Sequence, residues 1–300
     1  MSTERSRLFE LELSLPNGAL RDRASRLIGF DARYERLQRD LRLLASPDDV
    51  RAWSRRFYKA EMPICASITD RYPLVIFAGD VGTGKTETAE AASDRLARET
   101  GKEAMLFKLS TRVRGGGKVG EMSTLINDAF ETVVKEAGKT RSTYLIIDEA
   151  DSLTGSRDDK QSHHEDKVAV NTVIQRVDDL RRLNGRVLVF LCTNRAAALD
   201  PAIVRRAARL EMFARPDAEE RLAVLHMDLQ GLGISDDTLA EVVELTGPRT
   251  DPARPGFTFS DLRSRLLPEA LGHAFPDRRI EADDLLRAAG SLIPSPAVFE

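Results

Sequence analysis

Residues 79–86 read GDVGTGKT, and no other stretch narrows the possible folds so far. The string fits the phosphate-loop pattern G-x-x-x-x-G-K-[ST] at Gly79, Gly84, Lys85 and Thr86, with a further glycine at Gly82. A triphosphate crowds negative oxygens together, and backbone N–H groups can surround them only where no Cβ blocks the approach. The candidate cradle is therefore Gly79, Asp80, Val81, Gly82, Thr83, Gly84, Lys85, Thr86 and Glu87. A helix starting near Lys85 would turn its positive end toward the same phosphates. Lys85 would reach the β- and γ-phosphates, and the Thr86 hydroxyl would hold Mg²⁺. The apolar run Leu74–Ala78 before the loop reads as a buried strand. A strand-to-helix junction of this kind belongs to an α/β sheet.

Length and charge fit that frame. The 300 residues allow one large α/β domain and a smaller one. A formal net charge of −3 gives no global attraction to nucleic acid or acidic membranes, so neither is expected as a partner. No apolar run approaches the roughly 20 residues of a membrane helix, and MSTERSRLFELELSL lacks a signal peptide's apolar core. Cys65 and Cys192 form no C-x-x-C pair and read as reduced core residues of a cytoplasmic protein.

Three segments are expected. Residues 1–60 form an N-terminal extension, mostly helical. Residues 8–15 alternate loosely as a short strand before Pro16-Asn17-Gly18, and Tyr34, Leu37, Leu41 and Leu44 line one helix face. Ser46-Pro47 then opens a helix carrying Val50, Trp53 and Phe57. Residues 61–214 form the large domain, with strands at Leu74–Ala78, Met105–Leu109, Tyr144–Ile147, Val187–Cys192 and Leu210–Phe213. The helical faces between them argue a parallel sheet with helices on both sides. Residues 215–300 form a small helical domain with helices near 218–229, 236–246, 260–273 and 281–290, the first capped by Asp217 with Glu220.

Other positions carry chemistry. In YLIIDE an apolar strand delivers Asp148 and Glu149 at its C-terminal end, where ligands of open α/β sheets bind. Asp148 would hold Mg²⁺ through water, and Glu149 would deprotonate the attacking water. In VLVFLCTN the strand ends at Asn194, which could hydrogen-bond the attacking water and the γ-phosphate. In LDPAIVRR, Arg205 and Arg206 lie on a short helix, and either could serve as an arginine finger acting across a subunit interface. Arg263, in GFTFSDLRSRLLP, could touch ATP from the small domain. His163-His164 with Glu165 and Asp166 lacks a second ligand cluster and reads as a polar loop. Gly115–Gly117 with Lys118 lacks interleaved aromatic residues, so base stacking is unsupported.

The order and spacing of GDVGTGKT, YLIIDEAD, CTN and LDPAIVRR resemble the AAA+ ATPases over roughly residues 50–290. The resemblance implies a five-stranded parallel α/β core, a helical lid, ATP with Mg²⁺, and a ring, usually hexameric. It makes Lys85 and Thr86 Walker A, Asp148 and Glu149 Walker B, Asn194 sensor 1, Arg206 the trans-acting finger and Arg263 sensor 2. EDKVAVNTVIQRVDDLRR, AIVRRA and GFTFSDLRSRLLPEALGHAF resemble the pachytene-checkpoint remodellers of HORMA-domain proteins, whose bacterial members act in antiphage operons. That narrower likeness implies a HORMA-domain partner. KVGE, from Lys118 to Glu121, stands where AAA+ unfoldases carry a pore-loop aromatic. A nucleic-acid-directed AAA+ ATPase and a non-hydrolysing ATP-gated scaffold are the alternatives. The near-neutral charge weighs against the first, and Glu149 with Asn194 against the second.

Overall fold

The computed structural model describes residues 2–110, 121–150, 164–250 and 253–298. The chain divides into two compact units, one of residues 1–24, 30–78 and 86–211, the other of 25–29, 79–85 and 212–300.

Helix α1 (Ser2–Leu8) leads into strand β1 (Phe9–Leu15). Helices α2 (Gly18–Ala24), α3 (Phe30–Ala45), α4 (Pro47–Tyr58) and α5 (Pro63–Thr69) follow. Strand and helix then alternate through β2 (Leu74–Gly79), α6 (Lys85–Thr100), β3 (Ala104–Leu109), α7 (Glu121–Ala137) and β4 (Ser142–Ile147). The series continues with α8 (His164–Leu180), β5 (Val187–Thr193), the short α9 (Pro201–Val204) and β6 (Arg209–Phe213). The sheet order is β1-β3-β4-β5-β2-β6. Neighbours β3/β4, β4/β5 and β5/β2 run parallel. Every residue of β2, β4 and β5 is buried, which is why the centres of these strands read as apolar runs.

Strands stand at each of the five expected places. The short strand expected at 8–15 is β1, and the structure adds it to the sheet as a sixth strand, antiparallel to β3 at the edge. Its sequence FELELSL buries Phe9 and Leu15 at the ends and leaves the middle partly wet, the pattern of an edge strand. Its backbone covers the N–H and C=O groups that β3 would otherwise present to solvent. On α3, Tyr34, Leu37, Leu41 and Leu44 are buried as their spacing predicts. On α4 the helical spacing of Trp53 and Phe57 places them outward instead, at 46% and 62% exposed.

The second unit contains α10 (Ala218–Asp228), α11 (Asp236–Leu245) and the two-residue strands β7 (Arg249–Thr250) and β8 (Ala253–Arg254). It ends with α12 (Phe259–Asp261), a π-helical turn Leu262–Leu266, α13 (Leu267–Ala274) and α14 (Ala282–Ser291). Asp217 caps α10 in the expected box: its carboxylate accepts the Glu220 N–H at 2.8 Å, and Glu220 accepts the Asp217 N–H at 3.2 Å. Val224, Leu225, Val242, Phe257, Leu262 and Leu285 build this unit's core.

Gly115–Gly117, Lys118 and Val119, where the pore loop is expected, lie outside the described residues, as does His163; Glu121 opens α7. Among the described residues no helix is long and apolar enough to cross a membrane, and no group of three His, Cys, Asp or Glu could hold a metal ion. Cys65 and Cys192 are both buried.

Candidate nucleotide site

The three loop glycines have three different local causes. Gly79 has φ +155°, and a Cβ there would stand 2.0 Å from the Phe213 carbonyl oxygen. Gly82, at φ +75°, lies against Thr258 and Ser260, where a Cβ would come within 2.8 Å of Thr258 Oγ1. Gly84 has φ +87° with nothing within 4 Å, so the left-handed turn opens onto free space. Lys85 is buried, and its Nζ donates to the carbonyls of Gly79 at 2.8 Å and Asp80 at 2.7 Å. Thr83 Oγ1 donates to the Asp80 carbonyl at 2.8 Å. A cradle with an open glycine side and a buried ammonium held by backbone carbonyls fits a polyphosphate, whose oxygens can replace those carbonyls.

The Asp80 side chain has partners of its own. Its carboxylate accepts Arg215 Nε at 2.6 Å and the Val298 N–H at 2.8 Å, so it braces the loop from behind. Arg215 also donates to the Gly256 carbonyl at 2.7 Å. The Thr258 cap against Gly82 is held by Asp261, which accepts the Thr258 N–H at 3.0 Å and the Ser295 hydroxyl at 2.7 Å. Burial pushes the Asp261 pKa up, but the hydrogen bonds from Thr258 and Ser295 outweigh it and hold the carboxyl below its ordinary value. Arg215 and the 295–298 tail carry no signal in the sequence, because neither sits in a periodic pattern.

Arg263 has partners elsewhere in the second unit. It lies in the π-helical turn, and its hydrogen bonds go to Asp228 at 2.6 Å, the Arg26 carbonyl at 2.8 Å and Met227 Sδ at 3.3 Å, none of them within residues 79–85.

In the first unit the expected metal pair does meet. Thr86 Oγ1, in the first turn of α6, donates to Asp148 Oδ2 at 2.8 Å. Asp148 follows β4, and its other oxygen accepts the Glu149 N–H at 2.9 Å. Glu149 is exposed and has φ +47°. A left-handed non-glycine residue costs about 1–3 kcal/mol and persists where the surroundings impose it, often at active sites. Here the Ala150 N–H bonds the Cys192 carbonyl at 2.9 Å and pins the turn to β5. Asn194 lies one residue past the end of β5, half-buried. Thr86, Asp148, Glu149 and Asn194 thus sit at the start of α6 and the C-terminal ends of β4 and β5. Glu87 is exposed in the same first helical turn.

A charge cluster adjoins Asp148. Lys108 Nζ stands 3.5 Å from Asp148 Oδ2 and 2.8 Å from Glu10 Oε1. Burial lowers the Lys108 pKa, but the Glu10 hydrogen bond and the Asp148 charge outweigh it and hold the ammonium above its ordinary value. Glu90 is buried, which pushes its carboxyl up against the opposing pull of Arg23, 3.1 Å away, and of Lys108. A lysine inside the apolar run AMLFKL is the one sequence signal for this cluster.

Arg206 is clamped within its own chain. Its Nε and Nη2 pair with the two oxygens of Asp178 at 2.5 and 2.9 Å, and Nη1 donates to the Ala202 carbonyl at 3.0 Å. The Asp178 hydrogen bond raises its pKa. Its guanidinium carbon lies 5.4 Å from the Tyr72 ring centroid. Arg205, the neighbouring candidate, is exposed. Asp200 caps their short helix by accepting the Ala202 N–H at 2.8 Å.

Residues 75–215 match the model of the family described as "ATPase family associated with various cellular activities (AAA)". The chain is 48% identical over 295 residues to CD-NTase-associated protein 6 of Escherichia coli strain KTE188, covering 98% of each chain. Among solved structures it is similar to a chain of the E. coli MS115-1 HORMA:CdnC:Trip13 complex, with a TM-score of 0.89 and 39% identity over 97% of this chain and 98% of that one. It is also similar to Rhizobiales Trip13, with a TM-score of 0.72 and 35% identity over 96% of this chain and 100% of that one.

Proposed function

The chain belongs to the AAA ATPases, in the group of CD-NTase-associated protein 6, and from that premise we propose that it couples ATP hydrolysis to remodelling of a HORMA-domain protein. The observation that carries the reading is the Thr86–Asp148 pair, with Thr86 following the phosphate loop directly in sequence, in a chain that aligns over 97% of its length with a chain of the HORMA:CdnC:Trip13 complex.

Each residue then has a task. Lys85 exchanges the Gly79 and Asp80 carbonyls for phosphate oxygens. Thr86 and Asp148 are the residues that would hold Mg²⁺. When bound there, Mg²⁺ would supply charge that offsets the phosphates. Glu149 accepts a proton from the attacking water, and Asn194 orients that water against the γ-phosphate. ATP and water leave as ADP and phosphate.

The ring and the finger belong to the same reading. Arg206, with Arg205 beside it, completes a neighbour's site in a hexameric ring. Arg206 would then leave Asp178 to reach a phosphate, or carry the pair to the interface.

Lys118 and Val119 stand where an aromatic residue would grip a threaded chain. A weak grip suits extraction of one mobile segment better than unfolding of a whole domain, whose stability is about 5–15 kcal/mol. Local opening costs run down toward zero.

The test uses the purified chain, its cognate HORMA-domain protein and ATP. Conversion of the HORMA protein between conformers, read by ion-exchange elution, should require ATP turnover and fail with Glu149→Gln. A HORMA protein that neither binds the ATP-loaded chain nor changes conformer would overturn the reading. Turnover that rises only on adding DNA would favour the nucleic-acid alternative.

A further inference from the structure

One lysine stands between the Walker B carboxylate and the N-terminal strand. Lys108 lies on β3, with β1 on one side and β4 on the other. It pairs across the sheet with Ile146, so its side chain runs forward to Asp148, two residues beyond the β4 register. On the other side the β1–β3 register slips between Phe9 and Leu11, leaving Glu10 as the extra residue of a β-bulge. A bulge re-aims the side chain it carries, and bulges gather next to active sites for that reason. Here the re-aimed Glu10 carboxylate meets Lys108 Nζ at 2.8 Å. The result is a continuous line: Glu10, Lys108, Asp148 Oδ2, Thr86 Oγ1.

We propose that Lys108 is a positioning residue for Asp148, set in reach by the bulged Glu10, so that the N-terminal strand governs how well Thr86 and Asp148 accept Mg²⁺. The inference rests on the nucleotide-site reading above. Its physical basis is that partners of a metal-holding carboxylate fix its rotamer before the ion arrives. Lys108 and Thr86 converge on the same oxygen, Oδ2, and the Glu149 N–H holds the other.

A competing account treats the cluster as local charge alone. The two accounts separate by sign. Lys108→Met removes a positive charge and Glu10→Gln a negative one. If charge alone mattered, the first would strengthen Mg²⁺ binding and the second would weaken it. If position matters, both weaken it.

The experiment measures binding of a fluorescent ATP analogue to the full chain, once with Mg²⁺ and once with EDTA. Wild type sets the Mg²⁺-dependent gain in affinity. Lys108→Met and Glu10→Gln should each cut that gain by about 10-fold or more, the effect typical of losing a metal ligand's supporting partner. Affinity in EDTA should stay within about twofold, because Lys85 and the loop are untouched. The double variant should lose no more than the worse single one, since both act on one line. Lys108→Arg, which keeps the charge and a donor, should recover part of the gain and guards against a variant that merely fails to fold. Opposite shifts for the two single variants would overturn the proposal, and so would equal losses with and without Mg²⁺. Failure of wild type to bind the analogue at all would count against the nucleotide-site reading instead.

Discussion

Replacing Gly79 and Gly84 one at a time by alanine should break this protein in two different ways. At Gly79 a Cβ would stand 2.0 Å from the Phe213 carbonyl oxygen and 2.8 Å from its carbon, and those are backbone atoms with little freedom to retreat. Overpacking of that kind costs about 1–3 kcal/mol. The φ of +155° adds a strained backbone worth another ~1–3 kcal/mol for an L-residue. Gly79→Ala should therefore lose about 2–6 kcal/mol, a large part of a total near 5–15 kcal/mol. At Gly84 nothing lies within 4 Å, so only the strain of φ +87° remains, about 1–3 kcal/mol. The new methyl would instead occupy the open side of the loop. Losing one charge-assisted backbone bond to a phosphate, about 1.5–3 kcal/mol, weakens nucleotide binding roughly 10- to 100-fold. Urea denaturation read by circular dichroism and titration with a fluorescent ATP analogue measure the two effects separately. The reasoning is refuted if Gly79→Ala unfolds within about 1 kcal/mol of wild type. It is equally refuted if Gly84→Ala binds nucleotide normally.

Three further outcomes follow from the site. Glu149→Gln should lower ATP turnover by about 10²–10⁴ while leaving nucleotide affinity near wild type, since the phosphate and metal contacts stay; steady-state turnover with an affinity titration checks both halves. Arg206→Ala should lose turnover yet regain part of it when mixed with Lys85→Ala chains, because some interfaces then join an intact loop to an intact finger; absence of recovery in verified mixed rings, or recovery that tracks Arg205 instead, would move the finger role elsewhere. Asp261 contributes stability that is present above the ordinary carboxylate pKa of about 4 and is lost as pH falls through its depressed folded value. Asp261→Asn should therefore flatten the acid limb of a stability-versus-pH curve while lowering the plateau at neutral pH.

Local chemistry makes much of the site legible in the amino-acid sequence. GDVGTGKT needs its glycines and Lys-Thr wherever it occurs, and the all-buried strands β2, β4 and β5 are apolar except at their ends, where Ser142, Thr143 and Thr193 stand. Asp217 with Glu220 and Asp200 with Pro201 mark helix starts because caps are satisfied within a few residues of the chain. The Thr86–Asp148 meeting is legible because a strand end and a helix start bracket the same ligand in this architecture.

Partnerships set by packing between distant segments are different. Asp80 looks like any loop residue until Arg215 and the Val298 N–H close on it. Arg263 has the position of a nucleotide-sensing arginine, yet Asp228 and the Arg26 carbonyl take its donors. Arg206 is distinguished from Arg205 by a bidentate carboxylate 28 residues earlier in the chain. Trp53 and Phe57 have helical spacing, but spacing alone does not say which face of a helix meets the core. Glu10 and Lys108 are ordinary charges until an antiparallel edge strand with one extra residue sets them side by side. Periodicity and motif chemistry are properties of neighbouring residues, so the sequence determines them. A charge's partner depends on which surfaces the folded chain presses together, and that is decided only in three dimensions.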